Sequence, residues 1–223
     1  MNKSEIEILG NHHIGTSVET PMLPDAFERT DLEKIKNIQH YFSKIMEELG
    51  LDLTDESLSG TPYRFAKMYV KELFYGLNPQ NKPKISTFPN TYGYRSMLVE
   101  QDISIDSSCE HHFLPIVGKA HVGYIPKDKV VGLSKINRLV NYYAHRPQVQ
   151  ERLCLQIIKD LQETLETEDV IVVITARHLC VSSRGIKDKE SATTTVEYGG
   201  VFSNADTRSE FFNLINGNGD TGL

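Results

Sequence analysis

Residues 170 to 176 read Val-Ile-Val-Val-Ile-Thr-Ala, apolar at every position but Thr175 and mostly β-branched. An extended strand of this composition has no polar face to turn toward water, so both of its sides must be covered. The requirement selects a layered fold with this strand inside a sheet. With 223 residues, 39% of them hydrophobic, the chain can fill one sizeable core and a small appended helical lobe.

Other segments supply the layers. From Asp31, the positions Leu32, Ile35, Ile38, Phe42, Ile45, Met46 and Leu49 follow helical spacing, and Gly50 supplies a stop. Thr61 and Pro62, a hydroxyl cap and a proline at the first helical position, predict a second helix ending near Gly76. Residues 97 to 105 alternate, with Met97, Val99, Gln101, Ile103 and Ile105 against Glu100, Asp102 and Ser104, and 116 to 125 form a second strand. The segment CEHHFLP therefore lies at a sheet corner.

Ser134 is the expected cap of a helix carrying Ile136, Leu139, Val140 and Tyr143, and Pro147 is expected to start a longer one through Leu153, Ile157, Leu161 and Leu165. TTTVEY offers a fourth strand, and a short helix around Ser209 to Ile215 precedes a Gly- and Asn-rich tail. The order is helices, two strands, two helices, two strands and a helix, an α+β arrangement. Three regions follow: an irregular arm over 1–29, a helical region over 30–96, and a region over 97–223 that holds the metal-binding candidates.

Lys plus Arg total 24 against 30 Asp plus Glu, a net charge of -6. That balance argues against a general nucleic-acid coat or a polybasic membrane anchor. No stretch approaches the roughly 20 apolar residues of a membrane helix, and the start lacks the apolar run of a leader peptide, so a cytoplasmic protein is expected. Three cysteines cannot complete a disulfide framework, which suits a reducing compartment and points to metal chemistry.

Cys109 and His112, separated by two residues in a turn between strands, can converge on one ion, and Cys180 at the end of the apolar strand supplies a third soft ligand suited to zinc. Three protein ligands leave a fourth position open for water, as in catalytic sites. The same residues also suit another arrangement, with Cys109 and Cys180 as buried core thiols and His112 capping a turn. Cys154, flanked by Leu153 and Leu155 in a helix, reads as a buried thiol. His111 adjoins His112, and His178 lies two residues before Cys180, where strand alternation would put both on one face. Imidazoles beside a metal-bound water can move protons in either direction.

The segments TPYRFAKMYV, CEHHFLPIVGKAHVGYIP, VVGLSKINRLV, RPQVQERL, RHLCVSSRG and SATTTVEYGGVF occur in this order, and the chain from about 30 to 215 resembles GTP cyclohydrolase I. The resemblance implies a tunnelling fold, with antiparallel strands and a helical pair from each subunit closing a shared barrel. It also implies a homodecamer with sites at subunit junctions. The implied reaction is zinc-dependent hydrolysis of the GTP purine at carbon 8, with rearrangement to 7,8-dihydroneopterin triphosphate and formate, the first step of tetrahydrofolate or pterin biosynthesis. Allosteric regulation is compatible with it.

By position, the resemblance implies Cys109, His112 and Cys180 as zinc ligands and His111 and His178 as proton shuttles. It implies Glu151 as the residue that accepts from guanine's ring NH and amine, with Gln150 also at the substrate. Ser134, Lys135, Arg138 and Arg184 are implied to meet the triphosphate, and Arg64 to reach that of a neighbouring subunit. Arg forks suit phosphate oxygens, and a helix start such as that at Ser134 favours anions. Tyr63 within TPxR, and Glu197 with Tyr198 before Gly199, depart from the family pattern without touching the zinc set.

Two rivals make different demands. A zinc nucleobase deaminase requires HxE followed by PCxxC, both absent here. A non-catalytic nucleotide-binding module with zinc as a structural pin would bind GTP without releasing formate.

Overall fold

A computed structural model describes residues 17–217. Residues 1–16 of the expected arm and the Gly- and Asn-rich tail over 218–223 lie outside the described residues. Helix α1 (Asp31–Glu48) opens on a capping box. The Thr30 hydroxyl accepts from the Glu33 amide at 3.3 Å, and the Glu33 carboxylate accepts from the Thr30 amide at 2.7 Å. It closes on Gly50, at φ 78°, where the Leu51 and Gly50 amides donate to the Met46 and Glu47 carbonyls. These are the paired bonds of a Schellman ending, which needs a left-handed residue and so favours glycine.

The single turn α2 (Glu56–Ser59) leads into α3 (Thr61–Met68), whose Phe65 stacks on Phe42 of α1 with ring centroids 3.6 Å apart. Thr61 is not the cap. Gly60 holds that position, and the Thr61 hydroxyl instead accepts from Arg64 Nη2 at 2.8 Å. The backbone then widens into a π-type turn over Tyr69–Leu73.

The remaining elements are β1 (Thr87–Pro89), β2 (Leu98–Cys109), β3 (Pro115–Tyr124), β4 (Lys129–Val131), α4 (Leu133–Ala144), β5 (Pro147–Gln148), α5 (Gln150–Leu165), β6 (Val170–His178), α6 (Leu179–Ser182), β7 (Thr193–Tyr198) and α7 (Ala205–Asn216). Strands β1 and β4 pair as a separate ribbon, and the main sheet has the order β5-β2-β3-β6-β7. Its pairings are antiparallel except for β5 with β2. The expected α+β arrangement, four main strands and helical pair (α4 and α5) are present.

Strand β6 lies inside the sheet with both faces covered. Val170, Val172, Ile174 and Ala176 enter a core with Leu139 and Val140 of α4 and Leu153, Ile157 and Leu161 of α5. Ile171 and Val173 enter a second cluster with Phe202 and Phe211. Gly118 lets β3 approach β6 closely, because a Cβ there would stand 2.2 Å from the Thr175 carbonyl oxygen.

Three further expectations need correction. The alternation over 97–105 does not run through, because a bulge lies between Glu100 and Ile103, with Asp102 at φ 55°. Met97 and Val99 consequently pack on the second cluster, whereas Ile103 and Ile105 enter the main core. Ser134 does not cap α4. Gly132 does, and its carbonyl accepts from the Lys135 amide at 2.8 Å, so the first turn closes before the hydroxyl can serve. Pro147 does not start α5. It pairs beside Ser108 at the sheet edge, and the helix begins at Gln150.

Candidate metal centre

Residues 109 to 114 form a tight corner between β2 and β3. The Cys109 amide donates to the Leu114 carbonyl at 2.8 Å, and the Cys109 carbonyl accepts from Phe113 at the same distance, with Phe113 held at φ 54°. Strand β5 fixes the corner from one side, as the Glu110 amide donates to Gln148 at 2.9 Å. On the other side, Ile116 of β3 pairs with His178, the last residue of β6. The chain then turns into α6, which carries Cys180. His178 and Cys180 are thus brought to the corner by a strand end and a helical turn, not by alternation along one strand.

Cys109, His112 and Cys180 place their ligand atoms within 4.8 Å of one another, and Cys109 Sγ lies 3.8 Å from His112 Nδ1. Zn–S of about 2.3 Å and Zn–N of about 2.0 Å at tetrahedral angles put sulfur and nitrogen about 3.5 Å apart, near the spacing of the Cys109–His112 pair, so the three ligand atoms could hold a metal ion. Burial and the neighbouring Cys109 thiol raise the Cys180 pKa, with Arg184 acting in the opposite direction. Two adjacent sulfurs are a natural host for a soft dication.

His111 Nδ1 lies 3.8 Å from Cys109 Sγ, and its Nε2 is 3.7 Å from a Glu110 carboxylate oxygen. His178 Nε2 bonds Gln150 Oε1 at 2.8 Å. Burial lowers its pKa, and the nearby Glu151 carboxylate partly offsets this. Glu151 is exposed in the first turn of α5, beside His178. Gln150 is buried, with its amide nitrogen within bonding distance of the Ile174 and Thr193 carbonyls and the Thr195 hydroxyl. Cys154 stands apart as a core thiol whose Sγ meets the Val172 carbonyl, and burial pushes its pKa up to about 12.

The basic candidates divide. Arg184 is close enough to affect Cys180. Ser134, Lys135 and Arg138 lie on the first turns of α4, and only that helix's far end leads to β5 and the corner. At about 1.5 Å per residue, Ser134 stands about 15 Å and Arg138 about 9 Å along α4 from that far end. Arg64 folds back on its own helix start, donating to Thr61 and to the Ser57 carbonyl.

Sequence reasoning missed one pair. Arg152, buried in α5, forms a two-pronged ion pair with Glu110, the residue between Cys109 and His111, and its Nε donates to the Ser17 carbonyl at 3.0 Å. A signal exists in the sequence. Arg152, Gln156 and Asp160 recur at helical spacing beside the apolar stripe of α5, and all three are buried.

The sequence profile of GTP cyclohydrolase I matches residues 38–216. The chain is 54% identical over 214 residues to GTP cyclohydrolase 1 of Flavobacterium johnsoniae, covering 96% of each protein. It is 52% identical over 195 residues to the same-named protein of Vibrio vulnificus, and 53% identical to that of Tolumonas auensis. In both cases the match covers 87% of this chain and 89% of the relative.

Proposed function

Because the chain belongs to the GTP cyclohydrolase I family, a family of hydrolases, we propose that it opens the purine of GTP at carbon 8 with zinc held by Cys109, His112 and Cys180. The products are formate and 7,8-dihydroneopterin triphosphate, at the head of tetrahydrofolate or pterin synthesis. The observation that carries this is the convergence of a three-ligand zinc set with His178 and Glu151 at one sheet corner. Zinc bound there supplies Lewis acidity, lowering the pKa of a water to about 7.

The protein's own groups do the rest. Glu151, exposed at the start of α5, accepts from the guanine ring NH and exocyclic amine, a pair that adenine lacks. His178 delivers a proton to purine nitrogen 7, which makes carbon 8 electrophilic, and His111 shuttles protons during the later ring closure.

Ser134, Lys135, Arg138 and Arg184 bind the triphosphate. Ser134, Lys135 and Arg138 lie toward the end of α4 that points away from its own metal corner, which favours service to the corner of another copy, and Arg64 would have to leave its bonds to Thr61 and Ser57 to meet a neighbouring triphosphate. This division supports a homo-oligomer of tunnelling-fold subunits with sites at junctions, a decamer in the family pattern.

Incubation with GTP, with and without chelator, tests the proposal. Formate and a pterin that fluoresces after oxidation are expected only with metal present. GTP binding with no formate from zinc-loaded protein would sink it. Glu151→Ala should lose the preference for GTP over ATP.

A further inference from the structure

Gln150 makes more bonds than a side chain at a substrate surface needs. Its carboxamide is buried at the start of α5, with the nitrogen 2.9 Å from the Ile174 carbonyl, 2.9 Å from the Thr193 carbonyl and 3.2 Å from the Thr195 hydroxyl. Two of these partners are carbonyls, which only accept, so the amide end must face them and the oxygen must face the other way. Flipping the carboxamide would set its oxygen against two carbonyl oxygens.

The outward oxygen meets His178 Nε2 at 2.8 Å. An oxygen that can only accept requires a donor opposite it, so Nε2 must carry a hydrogen. The chain of constraint runs from the backbone of β6 and β7, through one amide, to one ring nitrogen.

We propose that Gln150 is a positioning residue that holds neutral His178 in its Nε2–H form and so reserves Nδ1 for proton exchange with substrate. The inference deepens the GTP cyclohydrolase reading and rests on it for the identity of the substrate. When protonated His178 gives the Nδ1 proton to purine nitrogen 7, the imidazolium becomes neutral imidazole with its hydrogen on Nε2. That product is the form Gln150 already accepts from, so the transfer needs no ring flip and no change in the hydrogen bond. A neutral ring with its hydrogen on Nδ1 would place two lone pairs face to face at Nε2 and Oε1.

The test begins on the zinc-loaded, full-length protein and needs no turnover. Solid-state NMR of the protein carrying 15N-histidine, with the His178 signals assigned by their loss in His178→Ala, reads which nitrogen bears hydrogen. A protonated-type signal for Nε2 and an unprotonated type for Nδ1 is expected in the neutral ring. The reverse pattern overturns the proposal even if GTP is the substrate. Should GTP prove not to be the substrate, the tautomer remains measurable, so the two ideas fail separately.

Gln150→Met, similar in length but without donor or acceptor, then asks for the consequence. Both His178 tautomers should appear. At unchanged zinc content, kcat should fall about tenfold or more, within the roughly 100- to 10,000-fold that a positioned acid contributes, while KM for GTP stays within about threefold. A variant that keeps the pure Nε2–H form and wild-type kcat would show that Gln150 merely fills space.

Discussion

Replacing Arg152 by Met should destabilise the protein through an acid more than 40 residues away in sequence, at position 110. The Arg152 side chain is 3% exposed and the Glu110 side chain 20%, and the pair is two-pronged. Removing one partner from a buried ion pair costs about 3–5 kcal/mol, because the remaining charge is stranded. Water reaching the partly exposed Glu110 favours the lower end, about 3 kcal/mol. For a chain of this length that lowers Tm by about 6–12 °C, compared at one protein concentration because assembly also shifts Tm. The double variant Glu110→Gln with Arg152→Met strands no charge and should recover at least about 1 kcal/mol relative to additive behaviour. Glu110 also sits between Cys109 and His111, so Arg152→Met should weaken zinc binding about tenfold, as losses behind a metal ligand do. Differential scanning calorimetry and competitive chelator titration read these effects. Additivity within about 0.5 kcal/mol, or a Tm within about 2 °C of wild type, would refute the argument that the pair acts as a buried unit.

Three further outcomes are expected. In chelator-treated protein at pH 8, iodoacetamide should label Cys180 well before Cys154, whose pKa of about 12 leaves roughly one thiolate in ten thousand; peptide mass mapping showing equal rates would contradict the burial argument. Gly118→Ala pushes a methyl against backbone of β6, 2.2 Å from the Thr175 oxygen, and should cost about 3 kcal/mol or prevent soluble expression, read by thermal melts. Bonds from the Thr30 hydroxyl and amide lower the Glu33 pKa, so their contribution is full above the unfolded carboxylate value and is lost as pH falls through the folded one. The Tm gap between wild type and Thr30→Ala should therefore be wider at pH 7 than at about pH 3, which is below the ordinary carboxylate range.

Where local chemistry decides the structure, the sequence was sufficient. The β6 run demanded cover on both faces and has it, and the spacing of Cys109, His112 and Cys180 anticipated ligand atoms that meet. What it could not show depends on neighbours. Pro147 looks like a helix start until Ser108 claims it as a strand, and Ser134 looks like a cap until Gly132 closes the turn ahead of it. The β2 bulge swaps which face receives its apolar residues, and strict alternation carries no sign of it. A helical arginine is ordinarily solvated, and only the folded chain shows Arg152 buried against Glu110.

The length of α4 has a genetic consequence. If the metal corner and the first-turn cations of α4 serve different active sites, a Lys135 variant and a His178 variant damage opposite halves of one junction. Each alone gives junctions that all lack one half. Subunits of the two kinds, refolded together, form some junctions that draw both intact halves, so two inactive alleles would complement each other within a single assembly.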